Sequence, residues 1–251
     1  MKRSHRLTVV VVSLTGVVLF FLLLTGLSRK GEGPLARVLE DIGVFVSNVE
    51  NTVTGYFRGP GRSSRLLWLE PLRQSVDSLR HPPQILLGAY DSGLPSSLDG
   101  VAKLESSLNT TFPLVHIYSA WGDRPEQQFP ARVLNAIWNL GSIPVLTWEP
   151  WLTDFENVNH PHLPLRTERD RGGFGAITRG DYDFYIDAWA SEAAAFKHPM
   201  FLRFAHEMND PYRYPWGPHN NSVVDFLEAW RHVYQRFQQA GARNVLWVWS
   251  P

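Results

Sequence analysis

Five short apolar runs, Ile85–Tyr90, Leu114–Ser119, Ile143–Trp148, Met200–Ala205 and Val245–Trp249, recur beyond Pro83 with helical patterns between them. Nothing else in the chain restricts its fold as much. Each run has the length of a strand and lacks the polar alternation of a half-exposed one, so each reads as a strand buried on both faces. The clearest intervening helix carries Val223, Phe226, Leu227, Trp230, Val233, Tyr234 and Phe237 at i, i+3, i+4 and i+7 spacing. Ser222 opens it with Asp225 three residues on, and Gly241 closes it. A second helix is expected from Tyr182 to Lys197, with Tyr185, Ala188, Trp189 and Phe196 along one side. Strands that alternate with helices give an α/β fold with a parallel sheet.

The N-terminal part reads differently. Leu7 to Leu27 contains no charged residue, follows Lys2, Arg3 and Arg6, and precedes Arg29 and Lys30. At about 1.5 Å rise per residue a helix of this length crosses a hydrocarbon core of about 30 Å. The run exceeds the apolar stretch of about 7 to 15 residues found in cleaved signals, and basic residues follow it directly, which favours an uncleaved transmembrane helix over a signal peptide. The cationic start predicts a cytoplasmic N-terminus and an exported body, membrane-anchored or, after cleavage, secreted. Leu35, Val38, Leu39, Ile42, Val46, Val49 and Val53 predict an amphipathic stalk helix, Glu70 to Leu79 a shorter one, and Pro82-Pro83 a boundary. The chain therefore divides into residues 1–30 (anchor or signal), 31–83 (helical stalk) and 84–251 (the α/β body).

Composition excludes several classes of function. Lys plus Arg equals Asp plus Glu at 24 each, so no net field draws in nucleic acid. The chain has no cysteine, which removes thiol catalysis, thiolate metal sites and disulfides together.

Ligands of parallel sheets bind where strands end at their C-terminal edges. Here those ends hold Tyr90-Asp91, then His116, Tyr118, Trp121 and Asp123, then Trp148, Glu149 and Trp151, then His206, Glu207 and Asn209, with Trp216 soon after. Aromatic rings and carboxylates suit sugars, whose C–H faces stack on flat rings while their hydroxyls need hydrogen-bond partners. Two competing patterns fail. His206-Glu207 would need a second histidine three positions after the glutamate to form the zinc-protease helix motif, and Asp210 stands there. His160 and His162 sit in a proline-containing loop with no convergent third ligand and read as solvated.

The order of these segments resembles glycoside hydrolase family 26, best known for β-mannanases. The matching text is Trp148-Glu-Pro-Trp151, Gly180-Asp-Tyr-Asp-Phe-Tyr-Ile186 with Trp189-Ala190, Phe201-Leu-Arg-Phe-Ala-His-Glu-Met-Asn209, Tyr214-Pro-Trp-Gly217, Ala229-Trp-Arg231 and Asn244-Val-Leu-Trp-Val-Trp-Ser-Pro251. The resemblance implies a (β/α)₈ TIM barrel, of which the chain would supply strands one to five. It also implies that Glu207 is the general acid/base and that His206 shapes the site around the bound sugar. Asn209, Trp216, Trp148, Glu149, Trp151, Tyr118 and Trp121 are expected to line the cleft. A retaining glycosidase needs a second carboxylate about 5 to 5.5 Å away as nucleophile. In the family that group is a glutamate on the seventh strand, and no position here matches it by motif, so the chain is expected to be the N-terminal portion of a longer barrel.

Between Asn209 and Trp216 the sequence departs from the family pattern of a glycine followed by Trp-Tyr-Pro-Trp. Asp210-Pro-Tyr-Arg-Tyr-Pro-Trp216 is one residue longer and places Tyr212 or Arg213 near the usual first tryptophan. The expected reaction is endo-hydrolysis of a β-polysaccharide, β-1,4-mannan first, with mixed-linkage β-glucan or xylan next. It needs no cofactor, since both catalytic groups are carboxyls. The alternative is a non-catalytic, membrane-anchored protein that binds polysaccharide or assists its export.

Overall fold

The computed structural model describes residues 66–92, 94, 97–165 and 172–251. The expected membrane-spanning helix and the stalk helix over residues 35–53 lie outside them. Among the described residues no helix is long and apolar enough to cross a membrane.

Strands β1 (Gly88–Tyr90), β2 (Leu114–Ala120), β3 (Ile143–Glu149), β4 (Met200–Phe204) and β5 (Val245–Val248) form one sheet in sequence order, every neighbouring pair parallel. Register aligns Tyr118 with Thr147 and Thr147 with Arg203, so these three residues stand in a row across β2, β3 and β4. Helices α1 (Glu70–Arg73) and α2 (Val76–Arg80) precede the sheet, and α3 (Asp99–Leu108), α4 (Ala131–Asn139), α5 (Gly173–Thr178), α6 (Asp183–Phe196) and α7 (Val223–Gln239) lie between strands.

One face of the sheet is packed by helices. Ile117, Leu146, Trp148, Leu202 and Phe204 are almost fully buried. The Trp148 ring lies 4.7 Å from Trp189 of α6 and 5.7 Å from Phe237 of α7. Helices α6 and α7 are joined by Arg236 with Asp187 and by His232 Nε2 at 2.6 Å from Asp183 Oδ1. Helix α7 begins as its sequence requires: Ser222 Oγ accepts the Asp225 amide at 3.1 Å, and Asp225 Oδ2 accepts the Ser222 amide at 2.9 Å.

Two expectations are corrected. The first strand spans three residues, with Ile85 86% and Leu87 57% exposed and only Ala89 of the strand buried. It pairs with β2 alone, and an edge strand need not be covered on both faces. The single helix expected over Glu70–Leu79 is two, because Ser75 turns extended (φ −135°, ψ 122°) and its hydroxyl accepts the Ser78 amide as the cap of α2.

Candidate active site

The face of the sheet opposite the helices carries a polar row. Arg203 Nε donates to Thr147 Oγ1 at 2.8 Å, and Thr147 Oγ1 lies 2.6 Å from His116 Nε2. A guanidinium can only donate, so the Thr147 oxygen accepts from Arg203, and with one hydrogen and a second lone pair left it pairs with His116 Nε2 in either ring tautomer. Burial and then the Arg203 charge push the His116 pKa down to about 4. Arg203 also donates toward the Tyr118 hydroxyl at 3.3 Å and Ser250 Oγ at 3.5 Å. Among the described residues no carboxylate lies within ion-pair distance of this half-buried cation.

Beyond β4 the backbone is strained. Ala205 and Glu207 both have positive φ, +47° and +50°, a region that costs a side-chain-bearing residue of order 1–3 kcal/mol. The segment is pinned on both sides: the Ala205 amide donates to the Trp148 carbonyl at 3.1 Å, and the Glu207 amide to the Ser250 carbonyl at 2.8 Å. Trp216 Nε1 donates to the His206 carbonyl at 2.7 Å. Held this way, Glu207 projects its carboxylate at the C-terminal edge of the sheet, partly accessible to solvent.

His206 is buried, with Nε2 3.1 Å from the Tyr214 hydroxyl and 4.0 Å from Glu149 Oε1. Burial and the Arg203 charge lower its proton affinity despite the opposing pull of Glu207, so the ring is neutral. Its Nδ1 is buried without a hydrogen-bond partner. Glu149 is half-buried. Desolvation raises its carboxyl above the ordinary range, against the Trp151 indole at 3.4 Å and the Arg203 charge.

The structure sorts the expected cleft residues. Glu207, His206, Glu149, Trp151 and Tyr118 come together at the edge of the sheet. Tyr118 is 41% exposed, and its ring lies 5.9 Å from His206 and 5.3 Å from Tyr90, which is exposed beside it. Trp148 and Trp121 do not line a cleft. Both are fully buried, 4.5 Å apart in the aromatic layer beneath the helices: strand side chains alternate and Trp148 falls on the helix side of β3, while Trp121 packs against it from the loop that follows β2. Trp216 is buried too, stacked under Tyr214 at 4.6 Å, and supports the site from below. Asn209 is exposed on the turn after Glu207. His160 is not free in solvent: Nε2 lies 2.6 Å from Asp123 Oδ1 and its ring stacks on Phe184. Among the described residues no group of three or more His, Cys, Asp or Glu could hold a metal ion.

Sequence reasoning missed Arg203, Thr147 and Ser250. The signal for Arg203 was present, as a lone charge in the apolar run Phe201-Leu-Arg-Phe204. The other two carry no signal without the register.

No family model matches the chain. The sequence is similar to Endoglucanase H from Acetivibrio thermocellus, 28% identical over 176 residues, covering 65% of this chain and 17% of that protein. It is also similar to β-1,3-xylanase TXYA from a Vibrio species, 35% identical over 75 residues, and to a β-1,3-xylanase from an Alcaligenes species, 30% identical over 75 residues, each match covering 30% of this chain and 15% of the relative. The chain thus spans about a sixth of the length of these curated relatives. Among solved structures, the Bacillus subtilis mannanases BCman and man26 align over 74% and 76% of this chain and 60% and 63% of theirs, at 17% and 16% identity and TM-scores of 0.47 and 0.46.

Proposed function

We propose that this chain belongs to glycoside hydrolase family 26 and carries the acid/base half of a retaining endo-β-glycosidase, with the five-stranded sheet as part of a (β/α)₈ barrel. The observation that carries this reading is Glu207, held on a strained turn at the C-terminal edge of β4 beside neutral His206, Tyr214 and Glu149. Similarity to an endoglucanase and two β-1,3-xylanases supports it from sequence.

In the first half of the reaction Glu207 gives its proton to the glycosidic oxygen as that bond breaks, while a second carboxylate bonds to the anomeric carbon. In the second half Glu207 takes a proton from water, the water oxygen bonds to the anomeric carbon, and the carboxylate leaves. His206, neutral and hydrogen-bonded to Tyr214, and exposed Tyr118 and Tyr90 would receive the sugar. Asn209 and Trp151 sit at the rim, and Trp216 holds the rim in place. Glu149 stays a substrate-side group. The apolar run Leu7–Leu27 would anchor the protein in the membrane with this body outside the cytoplasm.

The substrate in this reading is a β-linked polysaccharide. The family resemblance puts β-1,4-mannan first, and the names of the similar sequences put β-glucan and β-1,3-xylan beside it. The test is reducing-end release by the intact protein from galactomannan, mixed-linkage glucan and β-1,3-xylan. Glu207→Ala is expected to lower turnover on the preferred polymer by at least about 10²- to 10⁴-fold. Undiminished turnover in that variant would overturn the assignment.

A further inference from the structure

The turn that follows Asn209 brings a phenol to Glu207. Asp210 Oδ1 accepts the Tyr212 and Arg213 amides at 2.8 and 2.9 Å, and the Gly217 amide donates to the Tyr214 carbonyl at 3.1 Å. A Cβ at Gly217 would stand 2.1 Å from the Asp210 carbonyl oxygen, so only glycine fits and the turn delivers Tyr214 to one place. The Tyr214 ring is fixed as well. It stacks on buried Trp216 at 4.6 Å with planes 10° apart and meets the His206 ring edge-on at 4.8 Å, while the Trp216 indole donates to the His206 carbonyl at 2.7 Å. The hydroxyl so placed lies 3.1 Å from His206 Nε2 and also hydrogen-bonds Glu207. Burial first, then the Glu207 and Glu149 charges, push the phenol above its ordinary range, so it keeps its hydrogen. Arg213 on the same turn also touches the carboxylate, with Nη1 3.5 Å from Glu207 Oε2, but that contact is exposed.

Counting hydrogens gives the cluster a direction. Neutral His206 carries one ring hydrogen, on Nδ1 or on Nε2. Nδ1 is buried without a partner, and a buried N–H left without an acceptor is rarer than an acceptor left without a donor. The hydrogen therefore belongs on Nε2, which faces the Tyr214 oxygen at 3.1 Å, with Glu149 Oε1 more distant at 4.0 Å. An oxygen that accepts from Nε2 turns its own hydrogen away from the ring. We propose that Tyr214 is a positioning residue for Glu207, its hydroxyl accepting the His206 Nε2–H and donating to a Glu207 carboxylate oxygen. The proposal rests on the acid/base reading of Glu207. Each hydrogen bond in such a chain polarises the next, so a buried ring aims the carboxylate through a hydroxyl that has no other use for its hydrogen. Tyr214 supplies orientation and no proton: the proton that Glu207 exchanges leaves for the glycosidic oxygen and returns from water.

The test begins with the ring ¹⁵N spectrum of His206 in the intact protein, which distinguishes Nε2–H from Nδ1–H directly. Wild type is expected to show the Nε2–H form, and Tyr214→Phe, which removes the acceptor, an average of the two forms. An Nδ1–H ring in wild type, or a spectrum unaltered in Tyr214→Phe, would overturn the proposal. Kinetics supply a second readout. Tyr214→Phe keeps the ring that stacks on Trp216, so only the hydroxyl is lost. Its kcat/KM on polysaccharide should fall about 10-fold or more, through kcat rather than KM, because a reacting group is no longer aimed. On an aryl glycoside whose leaving group departs unaided, kcat/KM should stay within about 2-fold, since general acid catalysis is not needed there. Wild-type kcat/KM on polysaccharide, or equal losses on both substrates, would sink the positioning role. The two readings fail separately. If Glu207→Gln keeps normal turnover while the His206 ring shows Nε2–H and responds to Tyr214→Phe, the acid/base assignment fails and the hydrogen-bond chain stands. If Glu207→Gln abolishes turnover and the ring carries Nδ1–H, the Tyr214 proposal alone fails.

Discussion

The Glu207 amide donates to the Ser250 carbonyl at 2.8 Å, tying the turn after β4 to the chain two residues past β5 while Glu207 itself sits at φ +50°. A carboxylate is thus presented at the sheet edge by a backbone conformation that disfavours any side chain.

The strain has a thermodynamic signature. Glu207→Gly is expected to leave stability unchanged or raise it by up to about 1 kcal/mol, because glycine adopts positive φ without penalty and the exposed contact to Arg213 contributes little. The same variant should lose turnover. Thermal unfolding of both proteins checks this, and a loss of more than about 1 kcal/mol would show that the Glu207 side chain supports the fold.

Trp148 separates a packing role from a sugar-binding one. Because it is fully buried between Trp121, Trp189 and Phe204, Trp148→Ala should cost about 3–5 kcal/mol, with Trp148→Phe costing much less. Denaturant titration is the measurement. A stable alanine variant with weakened polysaccharide binding would place the ring in a cleft instead.

The histidines predict an acid-side loss of stability. His116 is lowered to about 4 from an ordinary value of about 6.5, first by burial and then by Arg203. Between those two values the unfolded chain binds more protons than the folded one, so stability is full above about 6.5 and falls as pH drops toward 4. His206, lowered by the same two causes, adds to the loss in the same direction. His116→Gln should flatten the slope of unfolding free energy against pH in that window. An unchanged slope would mean that His116 is not the group responsible.

Gly217 is expected to tolerate no side chain. Gly217→Ala places a methyl against the Asp210 carbonyl, and the turn that carries Arg213 and Tyr214 must shift. Turnover on polysaccharide should fall about 10-fold or more, since small misplacements at a reacting centre are costly. Wild-type kinetics in this variant would show that the turn is not needed in its observed form.

Strands β2 to β5 and helices α6 and α7 are legible in the sequence because each depends on local information: apolar runs of strand length, 3.6-residue periodicity, and the Ser222–Asp225 cap. Helices α3, α4 and α5 are not, since they are short and their apolar stripes are brief. The site divides along the same line. Glu207 and His206 are found by their order beside a strand, which is a property of the chain. Whether Trp148 lines a cleft or fills the core depends on which side of β3 it falls and which helix covers that side. The pairing of Arg203 with Thr147, and of Arg213 with Glu207, depends on strand register and on a turn closed through space. The sequence by itself determines which residue types stand near each strand end. The tertiary structure decides which of them meet, because a shift of one residue along a strand exchanges its two faces and burial alone turns a binding aromatic into a core one.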